Sequence, residues 1–143
     1  PMIASWSGKI NPGSQSNLQG AFWDFMPTFV EISKSDSDYE SDGINLTPTL
    51  TGEPQNQKEH DFLYWEFSGK QAIVWNQWKA IRTNAKDPDS EILLFNLESD
   101  PGERNDVAAQ NPDIIKAIKP MMNNCHLPPI DSWQQKWILS QAK

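Results

Sequence analysis

The fold is decided by the stretch Phe62–Thr83, which reads FLYWEFSGKQAIVWNQWKAIRT. Three runs of aromatic and β-branched residues are separated there by two turn signals, Ser68-Gly69 and Asn76-Gln77. Runs of this kind, joined by short turns, indicate strands connected as β-hairpins. A fourth run of the same type, Glu91–Leu97, follows one loop later. The pattern predicts an antiparallel meander of four strands, because each run can pair with its neighbour in sequence.

The first of these runs also predicts a shared face. Side chains alternate along a strand, so Leu63, Trp65 and Phe67 should point the same way. Trp65 and two further tryptophans of the sheet, Trp75 and Trp78, have two interpretations. They pack into the core of a small sheet, or their rings stack on the C–H faces of sugars.

Two helices flank the predicted sheet. Upstream of it, an apolar stripe at helical spacing predicts a helix that starts near Asp24. Its members are Phe22, Phe25, Met26, Phe29 and Val30. Downstream, Asn111-Pro112 opens a second helix, which Pro120 should end or kink. A short strand is predicted at Met2–Trp6. The predicted fold class is α+β: a small four-stranded antiparallel sheet packed with a C-terminal helix and preceded by a strand and a helix.

Composition limits the functions open to this chain of 143 residues. Its formal net charge of −7 argues against nucleic acid or a membrane as the main partner, because both attract basic surfaces. No run approaches the ~20 apolar residues of a membrane span. A single cysteine, Cys125, excludes an internal disulfide, and with only two histidines we predict no metal site in the chain. We read Cys125 as a buried apolar residue in preference to a reactive thiol.

Four polar residues near the aromatic strand are candidates for binding substrate: His60, Glu66, Lys70 and Gln71. His60 is either a loop histidine hydrogen-bonded to a nearby carboxylate or a polar contact that reaches towards a neighbouring domain's pocket. Glu66 interrupts an apolar strand, so it forms either a structural ion pair with Lys70 or, with Lys70 and Gln71, a polar rim that touches substrate. No Gly-x-Ser-x-Gly, His-Glu-x-x-His or phosphate-binding glycine loop is present, and no catalytic residue is assigned.

Six segments, in order, resemble conserved patterns of one family. They are Pro1–Gly13 (P-M-I-x-x-W), Asp24–Thr28 (D-x-x-P-T), Asp42–Gly52 (D-G), Glu59–Lys79 (ending in W-K), Leu94–Ala108 (with D-P-x-E) and Asn111-Pro112. This ordered set resembles the C-terminal region of formylglycine-dependent sulfatases, which are arylsulfatase-like members of the alkaline-phosphatase-like superfamily. Within that set, Asp24 should cap the upstream helix, and Asp100 should bond free backbone N–H groups after the fourth strand.

The resemblance implies two parts. Residues 1–52 would complete a catalytic α/β domain, and residues 53–143 would form the C-terminal subdomain of sheet, helix and tail. The chain opens as though inside a longer protein, whose N-terminal catalytic domain would be its partner. The full enzyme would hydrolyse the sulfate ester of a small molecule or glycan, using formylglycine and a divalent cation, calcium by resemblance. The C-x-P-x-R motif that yields formylglycine does not occur here, so the resemblance implies a fragment that is inactive alone and binds no cofactor.

Two other interpretations stay open. The chain could belong to a phosphonate or phosphate-ester hydrolase of the same superfamily, or it could be a stand-alone glycan- or protein-binding module. The fragment interpretation predicts an exposed apolar surface where the catalytic domain would pack, and self-association of the isolated fragment through it. The expected lining is Met2, Ile3, Trp6, Phe22, Phe25 and Phe29.

Overall fold

The computed structural model describes residues 2–36 and 40–126. The chain divides into two compact units, residues 1–63 and 64–143. The predicted C-terminal tail, residues 127–143, lies outside the described residues. The assignment of residues 1–52 to a catalytic domain stays a prediction.

The first unit is built from short helices and loops. A 3-10 turn, Phe22–Asp24, leads into helix α1, Phe25–Ser33, and helix α2 follows at Thr47–Leu50. The predicted start of the first helix near Asp24 is therefore confirmed. Pro27 is buried in the first turn of α1, where a missing N–H leaves no intrahelical bond unmade.

The structure has no strand at Met2–Trp6. The strand expected there would belong with the catalytic domain in the full enzyme, and that pairing stays a prediction. The carbonyl of Trp6 instead accepts the backbone N–H groups of Lys9 and Ile10, both at 3.0 Å, which makes a turn. A strand persists only when a second strand takes up its backbone hydrogen bonds. Residues 2–36 and 40–62 contain no second strand that could take up the backbone hydrogen bonds of Met2–Trp6.

The four-stranded meander is confirmed. Its strands are β1, Leu63–Phe67; β2, Lys70–Trp75; β3, Trp78–Arg82; and β4, Ile92–Asn96. They lie side by side in chain order. β2 and β3 pair antiparallel, as do β3 and β4. Ser68, Gly69 and Asn76 have φ between 50° and 74°, the left-handed conformation that tight hairpin turns require.

The core of the second unit lies between the sheet and the last helix. Ile73, Ala80 and Leu94 are fully buried and face one another across three strands, since Ala80 pairs with both of the other two. Helix α3, Pro112–Cys125, contributes the fully buried Ile118. Each isoleucine or leucine side chain removed from water here adds about 2 kcal/mol of favourable transfer free energy.

The predicted shared face of β1 is not a core face along its whole length. Leu63 is buried, whereas Trp65 is 38% exposed and Phe67 is 84% exposed. β1 is an edge strand, with a neighbour on one side only. Its C-terminal half therefore presents its side chains to solvent beside the turn that follows.

Pro120 does not end the last helix, so that alternative of the prediction is wrong. α3 continues through Pro120 to Cys125. The proline is exposed, and water can therefore reach the carbonyl that lacks a helical partner. Buried Ile118 and Met122, one turn apart, hold both halves of the helix on the core.

The turn after β4 forms as the sequence predicts. Asp100 Oδ2 accepts the backbone N–H groups of Arg104 and Asn105 at 2.7 and 2.8 Å. These bonds, led by that of Asn105, lower the pKa of Asp100 below its ordinary value.

Candidate functional site

His60 lies in the first unit, against a fully buried carboxylate. Its Nε2 is 2.8 Å from Asp24 Oδ1. Asp24 also accepts the backbone N–H of Ala21 at 2.6 Å and that of Ile44 at 3.0 Å. This contact agrees with the first interpretation drawn from the sequence, in which His60 is a loop histidine hydrogen-bonded to a nearby carboxylate. Its role in binding substrate stays a prediction.

The prediction that the Asp24 side chain caps α1 is wrong. Asp24 occupies the N-cap position of α1, yet its side chain makes no bond to that helix. It joins three segments that are distant in sequence, at Ala21, Ile44 and His60. This arrangement needs Gly43, because a Cβ there would lie 2.7 Å from the carbonyl carbon of Trp23 and 3.0 Å from Pro27 Cγ.

In the second unit the structure brings Glu66 and Gln71 together through Tyr64. Gln71 Nε2 donates to Tyr64 Oη at 2.9 Å, and Tyr64 Oη donates to Glu66 Oε2 at 2.6 Å. His126 Nδ1 lies 3.0 Å from Glu66 Oε2 and 3.1 Å from Oε1. A carboxylate can only accept, so this imidazole nitrogen carries its proton. The result is one hydrogen-bonded chain of four side chains.

Buried groups fix the inner end of this chain. Gln71 is 1% exposed, and its Nε2 also donates to the carbonyl of Met122 at 3.2 Å. Arg82 Nη1 donates to Gln71 Oε1 at 2.9 Å and to Asn123 Oδ1 at 2.8 Å. Arg82 Nη2 donates to the carbonyl of Pro88 at 3.1 Å. The guanidinium therefore ties β2, β3 and α3 together.

The pKa values within this hydrogen-bonded chain of four side chains follow from these contacts. Burial raises the pKa of Tyr64 strongly, and the bond to Glu66 adds to the effect. Burial also opposes ionisation of Glu66, but the bonds from Tyr64 and His126 outweigh it and lower the pKa of Glu66. Burial raises the pKa of Cys125, which keeps it a thiol rather than a reactive thiolate.

Lys70 does not join the chain. It forms no ion pair with Glu66 or any other residue within residues 2–36 and 40–126, so the structural ion pair considered for these two is wrong. Successive side chains of a strand point to opposite faces. Gln71 is buried on β2, so Lys70 beside it is turned outwards and is exposed.

An open cavity of about 470 Å³ lies beside these groups. It is lined by residues of β1, the β1–β2 turn, one loop and the end of α3: Tyr64, Glu66, Phe67, Ser68, Gly69, Ala85, Lys86, Cys125 and His126. Of the four predicted site residues, only Glu66 lines it. Within the described chain, no group of three or more His, Cys, Asp or Glu side chains could hold a metal ion, and no helix is long and apolar enough to cross a membrane.

Sequence reasoning missed three members of this arrangement. Tyr64 was within reach, because it lies two residues before Glu66 on one strand and so points the same way. His126 and Arg82 carried no such signal. His126 is 60 residues from Glu66, and Arg82 meets Asn123 across 41 residues, so only the packing of the last helix brings them in.

Comparison with known proteins gives a consistent result. No family model matches the chain. An N-acetylgalactosamine-6-O-sulfatase of Bacteroides thetaiotaomicron is 24% identical over 137 residues, covering 87% of this chain and 26% of the relative. Human arylsulfatase A is 26% identical over 146 residues, covering 83% of this chain and 29% of the relative. The chain thus spans about a quarter of the length of the curated relatives it matches.

Solved structures share the fold. One from Bacteroides thetaiotaomicron, a protein of the metabolism of multiple glycosaminoglycans, superposes with a TM-score of 0.63 at 20% identity. The match covers 95% of this chain and 32% of that one. In sequence and in fold, this chain is therefore similar to the C-terminal region of arylsulfatase-like sulfatases.

Proposed function

We propose that this chain is the C-terminal part of an enzyme that hydrolyses sulfate esters, in which it supports the catalytic domain and forms part of the substrate-pocket wall. The extent of the sequence similarity supports the proposal. The similarity to sulfatases covers most of this chain but only about a quarter of each relative. In the full enzyme a formylglycine and a divalent cation, expected upstream of Pro1, would supply the nucleophile and the charge stabilisation.

The surface of the first unit supports this proposal. Phe22 is 88% exposed and Phe29 is 60% exposed, although both belong to the predicted apolar stripe. Ile3 and Met26 are exposed as well. Phe22, Met26 and Phe29 lie on the 3-10 turn and α1 at helical spacing, and exposed apolar side chains on one face are typical of a surface that packs against another domain. The partner proposed here is the N-terminal catalytic domain of the same polypeptide.

The substrate-facing role is proposed for His60 of the first unit and for Glu66, Lys70 and Gln71 of the second. Of the residues proposed to contact substrate, Glu66 presents a fixed carboxylate to an open cavity. Gln71 would hold Glu66 in position through Tyr64. Lys70 would contact substrate from the exposed side of β2. The substrate would be a sulfated small molecule or glycan.

The proposal is tested by comparing the sulfatase activity of the 143-residue chain with that of a longer protein. The 143-residue chain should not release 4-nitrophenol from 4-nitrophenyl sulfate, whereas the protein encoded by the chain together with its upstream reading frame should. Substantial turnover by the chain alone would overturn the proposal. Turnover of 4-nitrophenyl phosphate, but not of the sulfate, by the longer protein would favour the phosphate-ester alternative.

A further inference from the structure

Arg82 is a buried charge whose hydrogen-bond partners are all neutral. It is 1% exposed, and its guanidinium donates to the side chains of Gln71 and Asn123 and to the carbonyl of Pro88. Within residues 2–36 and 40–126 it forms no ion pair, and its buried Nε has no hydrogen-bond partner. Removing a charge from water is costly, so buried charges are poor stabilisers. Their best-attested use is to specify one arrangement of the groups around them.

The group that Arg82 arranges is the side-chain amide of Gln71. A guanidinium can only donate, so the amide oxygen must face it, and Gln71 Oε1 lies 2.9 Å from Arg82 Nη1. The amide nitrogen must then point the other way. Nε2 lies 2.9 Å from Tyr64 Oη and 3.2 Å from the carbonyl of Met122, which can only accept. The orientation of the amide is therefore fixed from both ends.

This orientation sets the direction of the hydrogen bonds as far as Glu66. Because Tyr64 Oη accepts a proton from Gln71, its own proton is left for Glu66 Oε2, at 2.6 Å. His126 Nδ1 donates to the same carboxylate. Burial opposes ionisation of Glu66, but the bonds from Tyr64 and His126 outweigh it and hold its pKa below the ordinary value. The carboxylate is thus kept ionised and able only to accept.

The other titratable groups of the same cavity do not oppose this state. Lys86, in the loop after β3, and Cys125, at the end of α3, line the cavity together with Glu66. The formal positive charge of Lys86 favours a carboxylate. Burial raises the pKa of Cys125, which stays a thiol and adds no negative charge.

We propose that Arg82 is a positioning residue, which acts through Gln71 to fix Glu66 as an ionised hydrogen-bond acceptor. An acceptor held in this state selects a substrate group that donates hydrogen bonds, and it repels the sulfate group itself. The contact between Glu66 and substrate rests on the proposed function. The control of Glu66 by Arg82 does not, because every bond in it lies within the second unit.

Carbon-13 magnetic resonance of the 143-residue chain tests the proposal by following the titration of Glu66 Cδ. In Arg82→Met the pKa of Glu66 should rise towards its ordinary value, because the amide of Gln71 is then free to turn. Arg82→Lys should lie closer to the unsubstituted chain, since an ammonium group also only donates. Asn123→Ala is the matched control: it removes a bond of Arg82 to α3 without touching Gln71, and it should leave the titration of Glu66 unchanged.

Three results of this titration would overturn the proposal. They are an unchanged pKa of Glu66 in Arg82→Met, an equal rise in Asn123→Ala, and a larger rise in Arg82→Lys than in Arg82→Met. The second result would mean that Arg82 only ties α3 to the sheet.

A measurement on the unsubstituted chain does not depend on whether any variant folds. Nuclear Overhauser effects from the side-chain amide protons of Gln71 should be stronger to the ring protons of Tyr64 than to the guanidinium protons of Arg82. The reverse order would place the amide nitrogen towards Arg82 and overturn the proposal. Hydrolysis of 4-nitrophenyl sulfate by the longer protein decides the proposed function separately, and the titration of Glu66 needs no enzymatic activity. Either idea can therefore fail alone.

Discussion

At the scale of single residues, the buried Arg82 and its hydrogen-bond partners are the feature least visible in the sequence. The alternation of β3 puts Arg82 on the same side as Ala80, which is a core position. An arginine there contradicts the usual pattern, because buried charges need partners. Register supplies one, since Arg82 lies directly opposite Gln71. Asn123 on α3 supplies another, which a sequence pattern cannot locate.

Tyr64 should titrate at a higher pH than an ordinary tyrosine. Its pKa is raised from 10.0, so the folded state holds the phenol proton more tightly than the unfolded state does. The stability from this proton is fully present below pH 10 and is lost as the pH rises towards the folded-state pKa. Ultraviolet titration of Tyr39→Phe, in which Tyr64 is the only tyrosine, measures the shift.

Two comparisons decide the Tyr64 prediction. The free energy of unfolding should fall more steeply above pH 10 in the unsubstituted chain than in Tyr64→Phe. Glu66→Gln should bring the pKa of Tyr64 closer to its ordinary value, because the acceptor loses its charge. Ionisation of Tyr64 at or below its ordinary pKa would contradict the assignment.

At the scale of elements, periodicity and turn residues predicted most of what forms. The four strands appear within one or two residues of their expected bounds, and α3 begins at the expected Asn111-Pro112, because hairpin strands and a helix start are specified locally. The strand expected at Met2–Trp6 does not form in this chain by itself, for the opposite reason. A strand depends on a partner for its backbone hydrogen bonds, and periodicity alone says nothing about that partner. Tertiary packing likewise decided that α3 continues through Pro120.

Asp24→Ala should destabilise the first unit by roughly 2–6 kcal/mol. The change removes the acceptor of two backbone N–H groups, those of Ala21 and Ile44, and each buried unpaired donor costs about 1–3 kcal/mol. Urea unfolding measures the loss, and hydrogen exchange should accelerate at both amides. Asp61→Ala, on an exposed aspartate beside His60, is the control and should change stability by less than about 0.5 kcal/mol. Unchanged exchange at Ala21 and Ile44 would show that the carboxylate does not hold these segments.

At the scale of the whole molecule, exposed apolar surface sets the expected behaviour of the isolated chain. Phe22, Met26 and Phe29 should drive concentration-dependent association, because the partner proposed for them is missing. Sedimentation equilibrium should show association that Phe29→Ser reduces and Phe67→Ser, on the second unit, leaves in place. A monomer at every concentration would count against an interface on α1.

The strand order of the sheet also has a kinetic consequence. Each strand pairs with the next in the chain, so the closure of each hairpin loop costs little entropy. Gln71 and Met122 are 51 residues apart, so their contact must close a much longer loop. Interactions that form after the rate-limiting step affect the unfolding rate and leave the folding rate nearly unchanged. We therefore expect the sheet to form first and the end of α3 to dock last. Substitutions at Asn123 would then shorten the lifetime of the native state without slowing its formation.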